Sequence, residues 1–373
     1  MFRFLRSKSV IVVVIVLMTI PILFSACKTA VAPETAAVTE AESTAEETAE
    51  ATEASTEAEP AETFTIGLSN FSLGNSWRVQ MVAEAQYAAS QNPLVKELIV
   101  TEAEESAEKQ ISDIEDMISR GVDAILITAV NPEALVPVVD EAMNAGIVVV
   151  DFDNLVYTDN ITCHVKVDQK EFGRVQGEWL VKALGEKGDI IAFNGIKGTA
   201  ISAERFEGAK SVFDQYPDIK IVQDVAADWD YAKAKAAMED LLAAYPEIDG
   251  IWSQGGAMSE GAVEAYMEKG LNPPLVTGED GNGFLKLWKE IRDSGKYPAF
   301  DSIATSMPTW CSAKALEVAL DALTGKTVEK EIVIPIPTIT ADTLDDYVKP
   351  DLPDSYWCNS QLPEEIVLEI FER

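Results

Sequence analysis

From Phe64 onward, short runs of β-branched and apolar residues alternate with longer stretches in which apolar positions recur every three or four residues. The runs occupy residues 65–68, 98–100, 124–127, 147–150, 189–193, 219–222, 248–252 and 275–277. Between the third and fourth runs, Leu135, Val138, Val139, Ala142 and Met143 fall at i, i+3, i+4, i+7 and i+8, the stripe of an amphipathic helix lying on a sheet. Asn131-Pro132 predicts the cap and first turn of that helix. Ala107, Ile111, Ile114 and Ile118 make a second stripe, and Leu316, Ala319, Leu320 and Leu323 a third. Continuously apolar strands separated by helices imply parallel sheets covered on both faces. Right-handed βαβ connections then arrange the chain as an α/β fold of two Rossmann-like lobes.

The N-terminus follows another pattern. Arg3, Arg6 and Lys8 precede an apolar run over residues 10–24, broken only by Thr19 and Pro21, too short to span a bilayer comfortably and shaped like a secretory h-region. It ends in Phe24-Ser25-Ala26-Cys27, which resembles the lipobox of bacterial lipoproteins, whose cysteine is lipidated and becomes the mature N-terminus. Phe24 stands where leucine is usual, and an ordinary cleaved signal or a short anchor helix is the alternative. Residues 28–63 are almost wholly Ala, Thr, Glu, Ser, Val and Pro, with too little apolar surface to fold. They read as a self-repelling tether, which with a lipid on Cys27 would hold the domain at a membrane surface.

Charge and cysteines narrow the function. The 373 residues carry 63 acidic against 29 basic side chains, a formal charge of −34, and nucleic-acid binding needs the opposite balance. Setting aside +3 on the leader and −9 on residues 28–63 leaves −28 on the remainder. With about 310 residues left to fold, a split into two domains is expected. Beyond Cys27 only Cys163, Cys311 and Cys358 remain, so Cys311 with Cys358, both in the C-terminal region, is one arrangement and three reduced buried thiols the other. The single histidine, His164, excludes a Ser-His-Asp triad and a histidine-based metal site. Gly278, Gly281 and Gly283 lack dinucleotide-fingerprint spacing, and no cofactor or metal is expected.

In open parallel sheets ligands bind beyond the carboxyl ends of the strands. The residues there are polar: Ser69-Asn70, Thr128, Asp153-Asn154, Asn194-Gly195, Asp228-Trp229, Gln254-Gly255-Gly256 and Glu279-Asp280. Polar loops are ordinary in such folds. Indoles among carboxylates and amides are less so, since an aromatic face suits the C–H face of a sugar ring while planar polar groups make paired hydrogen bonds to vicinal hydroxyls.

The order and spacing of six segments make the resemblance specific: "TIGLSNFSLGNSWR" (65–78), "GVDAILITAVNPEAL" (121–135), "AGIVVVDFDN" (145–154), "VDQKEFGRVQGEWL" (167–180), "GTAISAERFEGAKSVF" (198–213) and "VTGEDGNGFLKLWKEI" (276–291). Together, from Thr65 to about Pro337, they resemble periplasmic sugar-binding proteins of the ribose-binding type, the extracytoplasmic receptors of ABC transporters for monosaccharides. The resemblance implies two α/β lobes joined by three hinge strands, near 165–168, 305–308 and 327–332. One lobe is then 64–166 plus 307–328 and the other 167–306 plus 329–340, with 341–373 an extension packed on the outside of the lobes. It also implies a ligand site of Asn75, Trp77, Arg78, Asp153, Asn154, Arg205, Trp229, Asp280 and Ser306. Asn154 replaces the family's usual arginine, and Gln254-Gly255-Gly256 replaces an Asn-Asp pair, which predicts a larger or differently polarised cavity. Trp252 reads as core; Trp179, Trp288, Trp310 and Trp357 give no sequence reason for ligand contact.

The expectation is a monomeric lipoprotein, on the outer face of the cell membrane or in the periplasm, that closes its lobes on a small carbohydrate and delivers it to an ABC permease. A sensor for a sugar-like autoinducer or polyol, docking on a membrane kinase, uses the same closure. A carbohydrate-active enzyme with a paired-carboxylate site is the third reading.

Overall fold

The computed structural model describes residues 62–371. The leader, Cys27 and nearly all of the acidic stretch lie outside the described residues. The first series runs Phe64–Asn70 (β1), Ser76–Gln91 (α1), Val95–Glu102 (β2), Ala107–Arg120 (α2), Ala124–Ile127 (β3), Val136–Asn144 (α3), Val148–Phe152 (β4) and Cys163–Lys166 (β5). The second runs Gln169–Leu184 (α4), Gly188–Asn194 (β6), Ala200–Phe213 (α5), Ile219–Ala226 (β7), Tyr231–Ala244 (α6), Gly250–Ser253 (β8), Gly256–Glu268 (α7), Leu275–Glu279 (β9), Asn282–Ser294 (α8) and Ser302–Thr305 (β10). The chain then returns through Cys311–Leu323 (α9), Glu331–Val333 (β11), Thr338–Ile339 (β12), Leu344–Tyr347 (α10) and Glu364–Phe371 (α11).

Two six-stranded sheets result, in the orders β11-β5-β4-β3-β1-β2 and β12-β10-β9-β8-β6-β7, parallel except where β12 meets β10. Every apolar run read from the sequence overlaps a strand. The inner strands have continuous apolar runs because alternate side chains enter different cores. Ala124 and Leu126 of β3 pack with α1 and α9, while Ile125 and Ile127 pack with α2 and α3. Ile191 and Phe193 of β6 likewise join one core of the second lobe and Ile190 and Ala192 the other. Asn131 accepts from the Glu133 and Ala134 N–H groups, so it caps a turn, and α3 begins later, at Val136 with Pro137 in its first turn. Among the described residues no helix is long and apolar enough to cross a membrane.

The chain crosses between the lobes three times: between β5 and α4, between β10 and α9, and between β11 and β12. The third crossing lies after Val333, later than the 327–332 expected from sequence. The reason is pairing: Glu331, Ile332 and Val333 extend the first sheet beside His164, Val165 and Lys166, so these residues belong to the first lobe. Cys163, Cys311 and Cys358 are separate buried thiols, and the Cys311–Cys358 pairing is not formed. Cys311 opens α9 on the first sheet, whereas the Cys358 thiol points to Asn282 Oδ1 at 3.4 Å in the second lobe. Burial raises all three thiol pKa values, which removes the reactive thiolate. His164 is structural: its ring nitrogens meet Asp151 Oδ1 at 2.7 Å and the Thr158 carbonyl at 3.1 Å, fixing the loop after β4.

Trp252 is fully buried in β8 and meets the Phe206 and Phe213 rings at centroid distances of 5.7 and 6.5 Å. Trp252→Ala is therefore expected to cost about 3–5 kcal/mol of stability. Urea unfolding checks it, and an unchanged midpoint would contradict the packing described.

Candidate functional site

The carboxyl ends of both sheets face one cleft, and each lobe brings to it one buried arginine. In the first lobe the loop after β1 turns into α1 at Asn75, whose Oδ1 accepts the Arg78 N–H at 3.0 Å and caps the helix. That cap sets Trp77 and Arg78 in the first helical turn. The Arg78 guanidinium lies 3.7 Å from the Phe71 ring centroid and donates to Asp153 Oδ2 at 2.8 Å and Thr128 Oγ1 at 3.5 Å. Asp153 follows β4 with φ of 60°, a left-handed backbone that costs a non-glycine residue about 1–3 kcal/mol and persists only where neighbours hold it. Trp77 donates its indole N–H to the Met307 carbonyl, at 2.8 Å, on the second crossing segment.

The second lobe repeats the motif. Arg205 of α5 lies 3.7 Å from the Phe172 ring centroid and donates to Gln169 Oε1 at 2.8 Å, to the Gln254 carbonyl at 2.9 Å and to Glu279 Oε1 at 3.1 Å. Close helix packing positions it, since a Cβ on Gly173 of α4 would stand 1.8 Å from the Arg205 carbonyl oxygen. Trp229 reaches the cleft from a turn in which both Asp228 and Trp229 have positive φ, 56° and 57°.

One cavity is lined by Asn75, Trp77, Arg78, Asp153, Asn154, Arg205 and Trp229, all expected from sequence. Asp280 and Ser306 do not line it. The Asp280 carboxylate accepts the Asn359 N–H at 2.8 Å, and Ser306 Oγ accepts the Asn359 side-chain amide at 3.0 Å, so the C-terminal extension occupies both. Glu279, at the end of β9, takes the place expected for Asp280; one residue along a strand reverses the side chain's face. Arg205 was the available signal, because a buried guanidinium needs a carboxylate. Phe71, Met307 and Trp357 also line the cavity without having been anticipated. Trp357 departs from two expectations, since the extension enters the cleft instead of lying outside the lobes and Trp357 lines the cavity.

The glycines that replace the family's Asn-Asp pair do not enlarge the cavity. A Cβ on Gly255 would lie 2.7 Å from Trp229 Cδ1, and one on Gly195 2.2 Å from Trp229 Cε2, so the indole fills the vacated space. A Cβ on Gly256 would meet the Glu279 carbonyl at 2.6 Å. Gln254 is turned away, donating to Asn194 Oδ1 and the Ser202 carbonyl. The cavity measures about 90 Å3. Burial raises the Glu279 carboxyl to about 7, with Arg205 pulling the other way, and raises Asp280 to about 6 against the Asn359 N–H and Ser306 hydroxyl.

Residues 66–327 match the periplasmic binding protein domain. Among curated proteins the chain is 30% identical over 273 residues to the ribose import binding protein of Bacillus subtilis (strain 168), covering 73% of this chain and 86% of that protein. It is 29% identical over 253 residues to the xylitol-binding protein of Mycolicibacterium smegmatis, covering 67% and 70%. Among solved structures, the fructose-binding periplasmic domain of a hybrid two-component system superposes with a TM-score of 0.66 at 27% identity, covering 76% of this chain and 92% of that one.

Glu279 holds its proton more tightly folded than unfolded, so its contribution to stability is full below the ordinary value of 4.5 and is lost as pH rises through about 7. In Glu279→Gln the decline of unfolding free energy across that window should be shallower than in the parent. Denaturant titrations at a series of pH values measure it, and parallel curves would remove Glu279 as the titrating group.

Proposed function

Because the chain belongs to the periplasmic binding protein family, in its ribose-binding type, we propose that it captures one neutral monosaccharide or polyol between its lobes and delivers it to an ABC transporter permease. It is an extracytoplasmic binding protein, not an enzyme. The observation that carries the ligand assignment is the convergence of Arg78–Asp153 from one lobe and Arg205–Glu279 from the other, with Trp77 and Trp229, on one small cavity. Each guanidinium already has a carboxyl group as its hydrogen-bond partner, which favours a polyhydroxylated neutral ligand over an anion that would have to displace that partner. Hydroxyl groups bridging the pairs would be bound better by the closed arrangement than by an open one, which is what drives a hinge closure. The sequence at Cys27 supports anchoring by a lipid, with residues 28–63 as the tether. Similarity to the periplasmic domain of a two-component system favours sensing as the second reading. Neighbouring permease and ATPase genes would support transport, and a neighbouring histidine kinase sensing.

Isothermal calorimetry across pentoses, hexoses, their furanose forms and polyols should find a tight binder; silence from folded protein would sink the assignment. For that binder, Asp153→Asn is expected to lose at least about 1.5 kcal/mol, the low end for a hydrogen bond to a charged group. An unchanged dissociation constant would take Asp153 out of the site.

A further inference from the structure

The C-terminal extension is rooted in the second lobe, where Leu344, Val348, Leu352 and Tyr356 join its core and the Asn282 side chain donates to the Lys349, Leu352 and Pro353 carbonyls. From there residues 357–361 cross to the first lobe and bind one face of α1, at Ser76, Gln80 and Glu84, spaced i, i+4 and i+8. Gln80 takes both backbone groups of Trp357, accepting its N–H at 2.9 Å and donating to its carbonyl at 3.0 Å. Ser76 Oγ accepts the Trp357 indole N–H at 3.0 Å. Glu84, 1% exposed, accepts the Ser360 hydroxyl at 2.7 Å and the Gln361 N–H at 3.1 Å. Between these pins, the Cys358 and Asn359 N–H groups bond Asp280 of the second lobe, at 3.0 and 2.8 Å. Consecutive residues thus hold opposite lobes through buried hydrogen bonds, and parting the lobes at this edge would strand polar groups away from water.

The Trp357 indole has a second neighbour. Beside the 90 Å3 cleft cavity lies an outer cavity of 430 Å3 that includes Glu260, Glu264 and Asp354, and the two share Ser76, Ala257 and Trp357 as lining. Of the three, Trp357 has by far the largest side chain. We propose that residues 357–361 form a clasp tying the two lobes together, and that Trp357, carried on the clasp, is a specificity-determining wall that limits the ligand to the inner cavity. The specificity clause rests on the carbohydrate reading above; the clasp clause does not. The site's size limit is then set by a segment lying outside the matched domain, which ends at residue 327.

Two measurements on the full chain test this. In hydrogen–deuterium exchange without ligand, the amides of Trp357, Cys358, Asn359 and Gln361 should be protected like those of α1, and Gln80→Ala with Glu84→Ala should release them while leaving the β3 and β8 amides unchanged. Exchange of the parent's 357–361 amides at the rate of unstructured chain would overturn the clasp. In the calorimetric panel, Trp357→Ala, with Trp357→Phe as the milder variant, should lower the preference for the tightest small ligand over bulkier sugars by about tenfold, the upper range of an aromatic contact. An unchanged ranking with unchanged affinities would overturn the wall. Should no sugar or polyol bind the parent, the carbohydrate reading and the specificity clause fall together, while exchange still decides the clasp.

Discussion

Each lobe of this protein must hide a guanidinium at the mouth of a parallel sheet, and the shape of the cleft follows from how it does so. A charge taken out of water is tolerated only when paired and hydrogen-bonded. Arg78 and Arg205 are each paired with a carboxylate from a strand end and each laid on a phenylalanine ring, 3.7 Å below. Both arginines are thereby fixed before any ligand arrives, which lowers the ordering cost of binding. The requirement spreads outward: Asn75 must cap α1 to aim Arg78, and α4 must touch α5 backbone to backbone to aim Arg205.

Met307 links the two walls. It lies on the crossing between β10 and α9, and its carbonyl accepts the Trp77 indole N–H while its sulfur stands 3.6 Å from Arg205 Nη2 and 3.5 Å from Gln169 Nε2. One residue of a crossing segment therefore touches groups of both lobes, the first through its backbone and the second through its side chain, and it also lines the cavity. The flexible thioether suits a place where packing partners shift against each other.

The parallel sheets were legible in the sequence because burial on both faces leaves uninterrupted apolar runs, and strand-end residues in such folds have a predictable place. Asn75, Trp77, Arg78, Asp153, Asn154, Arg205 and Trp229 were found on that basis together with the family resemblance. What escaped was set by contacts distant in sequence. Glu279 and Asp280 are adjacent carboxylates, and only the pleat of β9 and the docking of Asn359 determine which one faces the cleft. The third crossing shifted because Glu331, Ile332 and Val333 pair with β5, information held in a partner more than 160 positions away. Trp357 was hardest, since nothing local in an aromatic cluster of a Pro-rich tail says that its neighbours will bond Gln80 and Glu84.

The indole of Trp229 occupies the volume that side chains at positions 195 and 255 would need. These positions can vary only in concert. Enlarging either glycine while the tryptophan stays forces a clash, and shrinking the tryptophan while both glycines stay opens a void. Reshaping this wall of the cleft therefore calls for at least two coordinated changes, one at the tryptophan and one at a glycine.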